Sequence, residues 1–82
     1  MLSQLENNAK VVGAKQTRRA LKEGRAARIF LARDADPALT EPIETMGREN
    51  QVEVEWIESM RDLGHACGIA VGAAVAALLS WF

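Results

Sequence analysis

Cysteine and histidine each occur once among the 82 residues, as Cys67 and His65, and the aromatic residues number four: Phe30, Trp56, Trp81 and Phe82. One cysteine excludes an internal disulfide and a cysteine-built zinc cage, a usage that suits a reducing cytosol. One histidine removes most hydrolytic constellations. Two positions apart on a helix, His65 and Cys67 point about 200° away from each other and cannot form a nucleophile–base pair. No carboxylate is arranged behind His65 as a serine triad requires, and the Asp62–His65 spacing is that of a surface contact. Asp34 with Asp36 reads as turn and capping chemistry, and Glu53 with Glu55 as the solvated face of a strand. Phosphate-cradling GxGxxG and Walker patterns are absent. The expectation is a protein that is not an enzyme and has no metal site or cofactor.

A chain of this length makes one domain, residues 1–82, with room for a modest core. With 49% hydrophobic and 26% charged residues, the composition is that of an ordinary globular protein and excludes disorder, collagen and disulfide scaffolds. Met1 to Asn8 carries Glu6 and no apolar run, so it is not read as a signal peptide. From Ala66 to Phe82 no residue is charged, which raises the alternative of a tail anchor in a membrane. Gly68 and Gly72 interrupt that run, alanines dilute it, no Lys or Arg flanks it closely, and it is marginal against the roughly 20 apolar residues a span needs. A loop followed by a buried strand is expected instead.

Charge is the most uneven feature that is present. Lys10, Lys15, Arg18, Arg19, Lys22, Arg25, Arg28 and Arg33 share their stretch with a single acid, Glu23, while the rest of the chain sets Arg48 and Arg61 against ten acids. A formal net charge of −1 therefore covers a dipolar molecule. A concentrated cationic face points to nucleic acid, and to RNA.

The periodicities alternate between helix and strand. Leu2, Leu5 and Ala9 have the spacing of a short helix, and Val11 with Val12 suggests a brief extended piece broken at Gly13. A polar run from Lys15 to Thr17 leads into a helix with Thr17, Ala20, Leu21 and Gly24 on one face; Lys15, Arg18, Arg19 and Lys22 stack on the other, and Gly24 is its stop. Ala27 to Ala32 reads as a strand covered on both faces. Asp36 and Pro37 open a helix, Thr40, Glu41 and Pro42 suggest a cap for its continuation through Ile43 and Met46, and Asn50 fits its exit. Val52, Val54 and Trp56 alternate with Glu53 and Glu55 as a half-buried strand with an acidic outer face. Ser59 with Asp62 caps a short helix ending near Gly68, and Ala73 to Leu79 is the final strand. This order predicts an α/β fold, a three-layer α/β/α sandwich with a small mixed sheet.

Two places could carry binding. Gly13 followed by donors at a helix N-terminus, whose free amides favour anions, suits a nucleic-acid backbone and base edges. The apolar, glycine-hinged segment from Leu63 to Gly72 could cover a splayed-out base. A protein-interaction module using the basic face is the competing reading.

Taken in order, Val12, Gly13, Lys15, Gln16 and Thr17, ALKEG from Ala20, DADP from Asp34, and LGHACGI followed by VGAA resemble the L7Ae/L30e family of kink-turn RNA-binding ribosomal proteins, and within it the bacterial YbxF type. The resemblance runs over nearly the whole chain. It implies a single RNA-binding domain, a cytoplasmic location, and association with ribosomes or other structured RNA containing kink-turns. By the same resemblance Gly13, Lys15, Gln16 and Arg19 would enter the bent RNA at its sheared G·A pairs, and Ile69, Ala70 and Val71 would cover the unstacked loop nucleotide. Archaeal members carry Asn and Glu where this chain has Lys15 and Gln16; the bacterial type shares Lys and Gln. Lys15 can donate to guanine O6 and N7 and Gln16 can both donate and accept, so the pair still suits purine edges. Arg18 and Lys22 are expected on phosphates. A soluble monomer with no membrane association completes the expectation.

Overall fold

The computed structural model describes residues 9–80, and the helix expected through Leu2 and Leu5 lies outside them. Strand β1 (Lys10–Val12) leads into helix α1 (Ala14–Lys22), and β2 (Ala26–Ala32) into α2 (Pro37–Glu49). Then follow β3 (Glu53–Ile57), α3 (Met60–Ala66) and β4 (Val75–Leu79). The sheet runs in the order β1-β4-β2-β3. β4 is antiparallel to both β1 and β2, and β2 pairs in parallel with β3, so the sheet is mixed as expected.

Alternation along β2 builds two cores. Ile29 and Leu31 face Ala20 and Leu21 of α1, Ile43 of α2, and Val75 and Ala77 of β4. Phe30 and Ala32 turn the other way, against Leu63 and Ala66 of α3, Ile57 and Ala76. Two helices therefore cover one face and α3 the other, the predicted three layers. The register sets large residues of β2 beside small ones of β4, Ile29 opposite Ala77 and Phe30 opposite Ala76, which lets the sheet stay close-packed between layers. Phe30 is fully buried, a contribution of about 1.5–3 kcal/mol.

Up to Ser80, the uncharged run that raised the membrane alternative forms the end of α3, a loop and β4. Val75, Ala76 and Ala77 are buried at the centre of the sheet, and among the described residues no helix is long and apolar enough to cross a membrane.

Three local expectations are revised. The helix begins at Ala14, so Lys15 and Gln16 sit in its first turn instead of leading into it. Thr40 caps nothing: α2 runs unbroken through Pro42, with Thr40 buried on its inner side. Pro42 forfeits the bond that the Ala38 carbonyl would accept and its ring crowds that carbonyl, yet the helix continues to Glu49. The acidic face of β3 is solvated only in part, with Glu53 exposed and Glu55 half-buried. In register with β2 they flank Arg28, whose guanidinium ion-pairs with Glu53 and, at 2.9 Å, with Glu55.

The three helices among the described residues end in the same double hydrogen bond. In α1 the amides of Gly24 and Arg25 return to Leu21 and Ala20; in α2 those of Gln51 and Val52 return to Arg48 and Gly47; in α3 those of Gly68 and Ile69 return to His65 and Gly64. This termination places one residue in left-handed backbone. Gly24 and Gly68 fill that position, but in α2 it falls to Gln51, at φ 60°.

Candidate nucleic-acid interface

β1, β2 and β3 run parallel to one another and opposite to β4. Their carboxyl ends, the starts of all three helices and the loop before β4 therefore gather at one end of the sheet, where open α/β sheets place their ligands. Short bonds tie these connections together. The Gly13 amide donates to the Val75 carbonyl at 2.9 Å, the Ala32 amide to Ala74 at 2.9 Å, and the Arg33 amide to Ile57 at 2.8 Å. The amide of Met60, at the start of α3, donates to Asp34 Oδ1 at 2.7 Å, and the Ala73 amide returns to the Met60 carbonyl at 3.0 Å.

The three helix starts at this end differ in one respect. Asp36 caps α2 by accepting from the Ala38 amide at 2.9 Å, and Ser59 caps α3 by accepting from the Asp62 amide at 3.0 Å. α1 begins on Gly13, which has no side chain to offer, and its first turn contains no acid. Among the described residues, α1 alone keeps its first amides open to an outside acceptor. Gly13 stands at φ +104° with open space around a built Cβ, so the position demands glycine for its backbone angle and not for room.

From that start α1 presents Lys15, Gln16, Arg18, Arg19 and Lys22 to solvent while Thr17, Ala20 and Leu21 are buried. The other bases of the cationic stretch are dispersed. Arg25 pairs with Glu23 at 3.0 Å, Arg33 approaches Glu58 at 3.9 Å, and Arg28 is held on the opposite face of the sheet between Glu53 and Glu55. Lys15, Arg18, Arg19 and Lys22 make no ion pair among the described residues. The cationic face foreseen from eight bases is thus the outer side of one helix.

The late loop is held differently. Gly64 on α3 lies against the loop backbone so closely that an added Cβ would stand 2.2 Å from the Val71 carbonyl oxygen, and Gly72 lies close on Met60, though less tightly, with an added Cβ 3.1 Å from the Met60 Cβ. These contacts turn the loop tip outward. Ala70 and Val71 are exposed, Val71 to 72%, while Ile69 is half-buried and packs on the core beneath α3. Since the loop runs directly into Val75, which holds Gly13, the start of α1 and the apolar tip share one end of the molecule.

Two hollows adjoin this loop, and they were not anticipated from the sequence. The larger, about 500 Å³, is bounded by Asp34, Met60, Arg61 and His65 on one side and by the 69–72 loop on the other. The smaller, about 240 Å³, lies between Lys10, His65 and the turn from Ala66 to Gly68. Arg61 and His65 are one helical turn apart, a spacing visible in the sequence, but its meaning depends on where the loop folds back. Cys67 is buried at the edge of the smaller hollow; burial pushes its thiol up, with Lys10 partly opposing, so the thiolate that reactive chemistry needs is suppressed. No cluster of metal-ligating side chains occurs among the described residues.

A small α/β/α domain with an uncapped basic helix beside an exposed apolar loop is the class of molecule defined by this fold and site. Residues 2–80 match the ribosomal protein L7Ae/L30e/S12e/Gadd45 family, and the chain belongs to that family. It is 49% identical over 69 residues to an RNA-binding protein of Geobacillus kaustophilus, covering 84% of each chain. To the RNA-binding protein YbxF of Geobacillus stearothermophilus it is 48% identical over 69 residues, again covering 84% of each. The large ribosomal subunit protein eL8 of Halobacterium salinarum is 32% identical over 69 residues, 83% of this chain and 58% of that one. Among solved structures, a 15.5 kD RNA-binding protein of Giardia lamblia superposes with a TM-score of 0.91 at 25% identity, covering 98% of this chain and 71% of that one.

Proposed function

We propose that this chain is an RNA-binding protein that recognises kink-turns, in ribosomal or other structured non-coding RNA, and acts as a single cytoplasmic domain without turnover chemistry. The observation that carries the reading is the bond from the Gly13 amide to the Val75 carbonyl, which sets an uncapped, cation-lined helix start beside an exposed apolar tip. A kinked internal loop offers both complements at once: purine edges freed from the deep A-form groove, and a nucleotide out of the stack. On this reading Gly13, Lys15, Gln16 and Arg19 face the sheared G·A pairs. Arg18 and Lys22 meet phosphates, and Ala70 and Val71 cover the unstacked base, with Ile69 anchoring them. Family membership and the RNA-binding relatives support the assignment of RNA as partner.

Binding that favours the bent state must raise its population. An RNA carrying a donor and an acceptor fluorophore on the two arms of a kink-turn, held extended at low magnesium, tests this. Stoichiometric protein is expected to raise energy transfer to the level of the folded kink. Binding with no change in transfer would contradict kink-turn recognition and leave a generic cationic face, the feature a protein-interaction module would also use.

A further inference from the structure

We infer that the side of α3 carrying Arg61 and His65 is a second phosphate-binding lane, which takes the RNA backbone as it leaves the unstacked nucleotide and extends the interface from the α1 layer onto the opposite layer of the sandwich. The inference rests on the RNA reading above and adds a surface that it does not use.

The larger hollow is of the size that holds a small ligand. Its apolar wall is the same loop whose tip, Val71, would cover the base, so a strand flanking that nucleotide has to pass over the hollow. Arg61 and His65 lie one turn apart on the same side of α3, both exposed, and Arg61 makes no ion pair among the described residues. His65 also borders the smaller hollow, whose remaining charged group is Lys10. His65 thus lines both depressions, with Arg61 on the larger and Lys10 on the smaller. Asp34 is the one acid on either lining, and its Oδ1 is occupied by the Met60 amide at 2.7 Å. Guanidinium, imidazole and ammonium donors against a chain of phosphodiesters give charge complementarity without base selectivity, which is how backbone contacts position a nucleic acid.

The test uses the full chain and a kink-turn RNA in which single phosphates flanking the unstacked nucleotide are replaced by neutral methylphosphonates. Arg61→Gln and His65→Gln alter exposed side chains, and thermal melts should match the wild type. With the all-phosphate RNA, Arg61→Gln should weaken binding several-fold and lower the salt slope by roughly one unit, while His65→Arg should tighten binding and raise it. At least one methylphosphonate should weaken the wild type several-fold yet leave Arg61→Gln unaffected, since the partner is already gone. If Arg61→Gln and His65→Arg bind like the wild type with the same salt slope while Lys22→Gln lowers it, the lane is refuted and the α1 interface stands. If Lys22→Gln changes nothing either, the RNA reading fails and the lane fails with it.

Discussion

Gly13 and Gly64 hold the two halves of the proposed interface by opposite means. At Gly13 there is room for a side chain but the backbone angle forbids one; at Gly64 the space is taken by the Val71 carbonyl. The start of α1 is therefore a conformational device, a sharp entry that leaves helix amides uncapped, and the late loop is a packing device, a segment pressed outward by a helix beneath it. The lesson is that one surface can depend on two separable physical causes, each with its own failure. Substitution at the first should distort locally at moderate cost, whereas substitution at the second must move backbone.

The sharpest contrast comes from replacing each glycine by alanine. Gly64→Ala places a methyl group against a carbonyl that cannot rotate away, and a loss of about 3 kcal/mol or more is expected, together with loss of RNA binding. Gly13→Ala should cost about 1–3 kcal/mol, because φ 104° with ψ 153° is a backbone region essentially confined to glycine, and leave a folded protein with weakened binding. Urea denaturation of both variants checks the order; equal losses would merge the two devices into one.

Within the loop, the distinction between anchor and cover can be separated. Ile69→Asp should destabilise by about 2 kcal/mol because it buries a charge against the core, while Val71→Asp should stay within about 0.5 kcal/mol of the wild type and still lose kink-turn binding. If Val71→Asp bound normally, the tip would not meet RNA.

A smaller effect concerns the inner side of α1. Thr17 is fully buried and its Oγ1 has no hydrogen-bond partner among the described residues. Thr17→Val keeps the shape and removes the unsatisfied hydroxyl, so a gain of about 1 kcal/mol, or about 4–8 °C in Tm, is expected. A loss would show that the hydroxyl is satisfied in solution. The least effect should be alkaline. Because burial raises the Cys67 thiol above its usual value of 9.0, stability from the neutral thiol is complete below that pH and declines as pH rises beyond it. The slope above pH 9 should flatten in Cys67→Ala.

What could be read in the sequence was local. Asp36 before Pro37 and Ser59 before Asp62 mark their helix starts because a cap acts within three residues, and Ile29, Phe30 and Leu31 read as a central strand because burial on both faces needs no partner to be named. Much of the site was legible for the same reason: Lys15, Arg18, Arg19 and Lys22 repeat at helical spacing. The rest depends on register and close approach. Arg28 was counted among the exposed bases, and only the alignment of β2 with β3 shows it between Glu53 and Glu55. Gly47 looks like a weak point in a helix until Ile29 is found filling the space of its missing side chain, 2.5 Å from an added Cβ. The hollow beside Arg61 and His65 exists only because residues 69–72 fold back on α3.

On the proposed function, Lys15 and Gln16, in the first turn of α1, distinguish a kinked internal loop from a plain helix. Equilibrium binding of wild type and Gln16→Ala to a kink-turn RNA, and to the same RNA with its G·A pairs changed to Watson–Crick pairs, tests it most directly. The wild type should prefer the kink-turn, and Gln16→Ala should lose about 1–3 kcal/mol on that RNA and little on the control, so that discrimination itself falls roughly five- to 150-fold. Equal binding of the wild type to both RNAs would contradict the account.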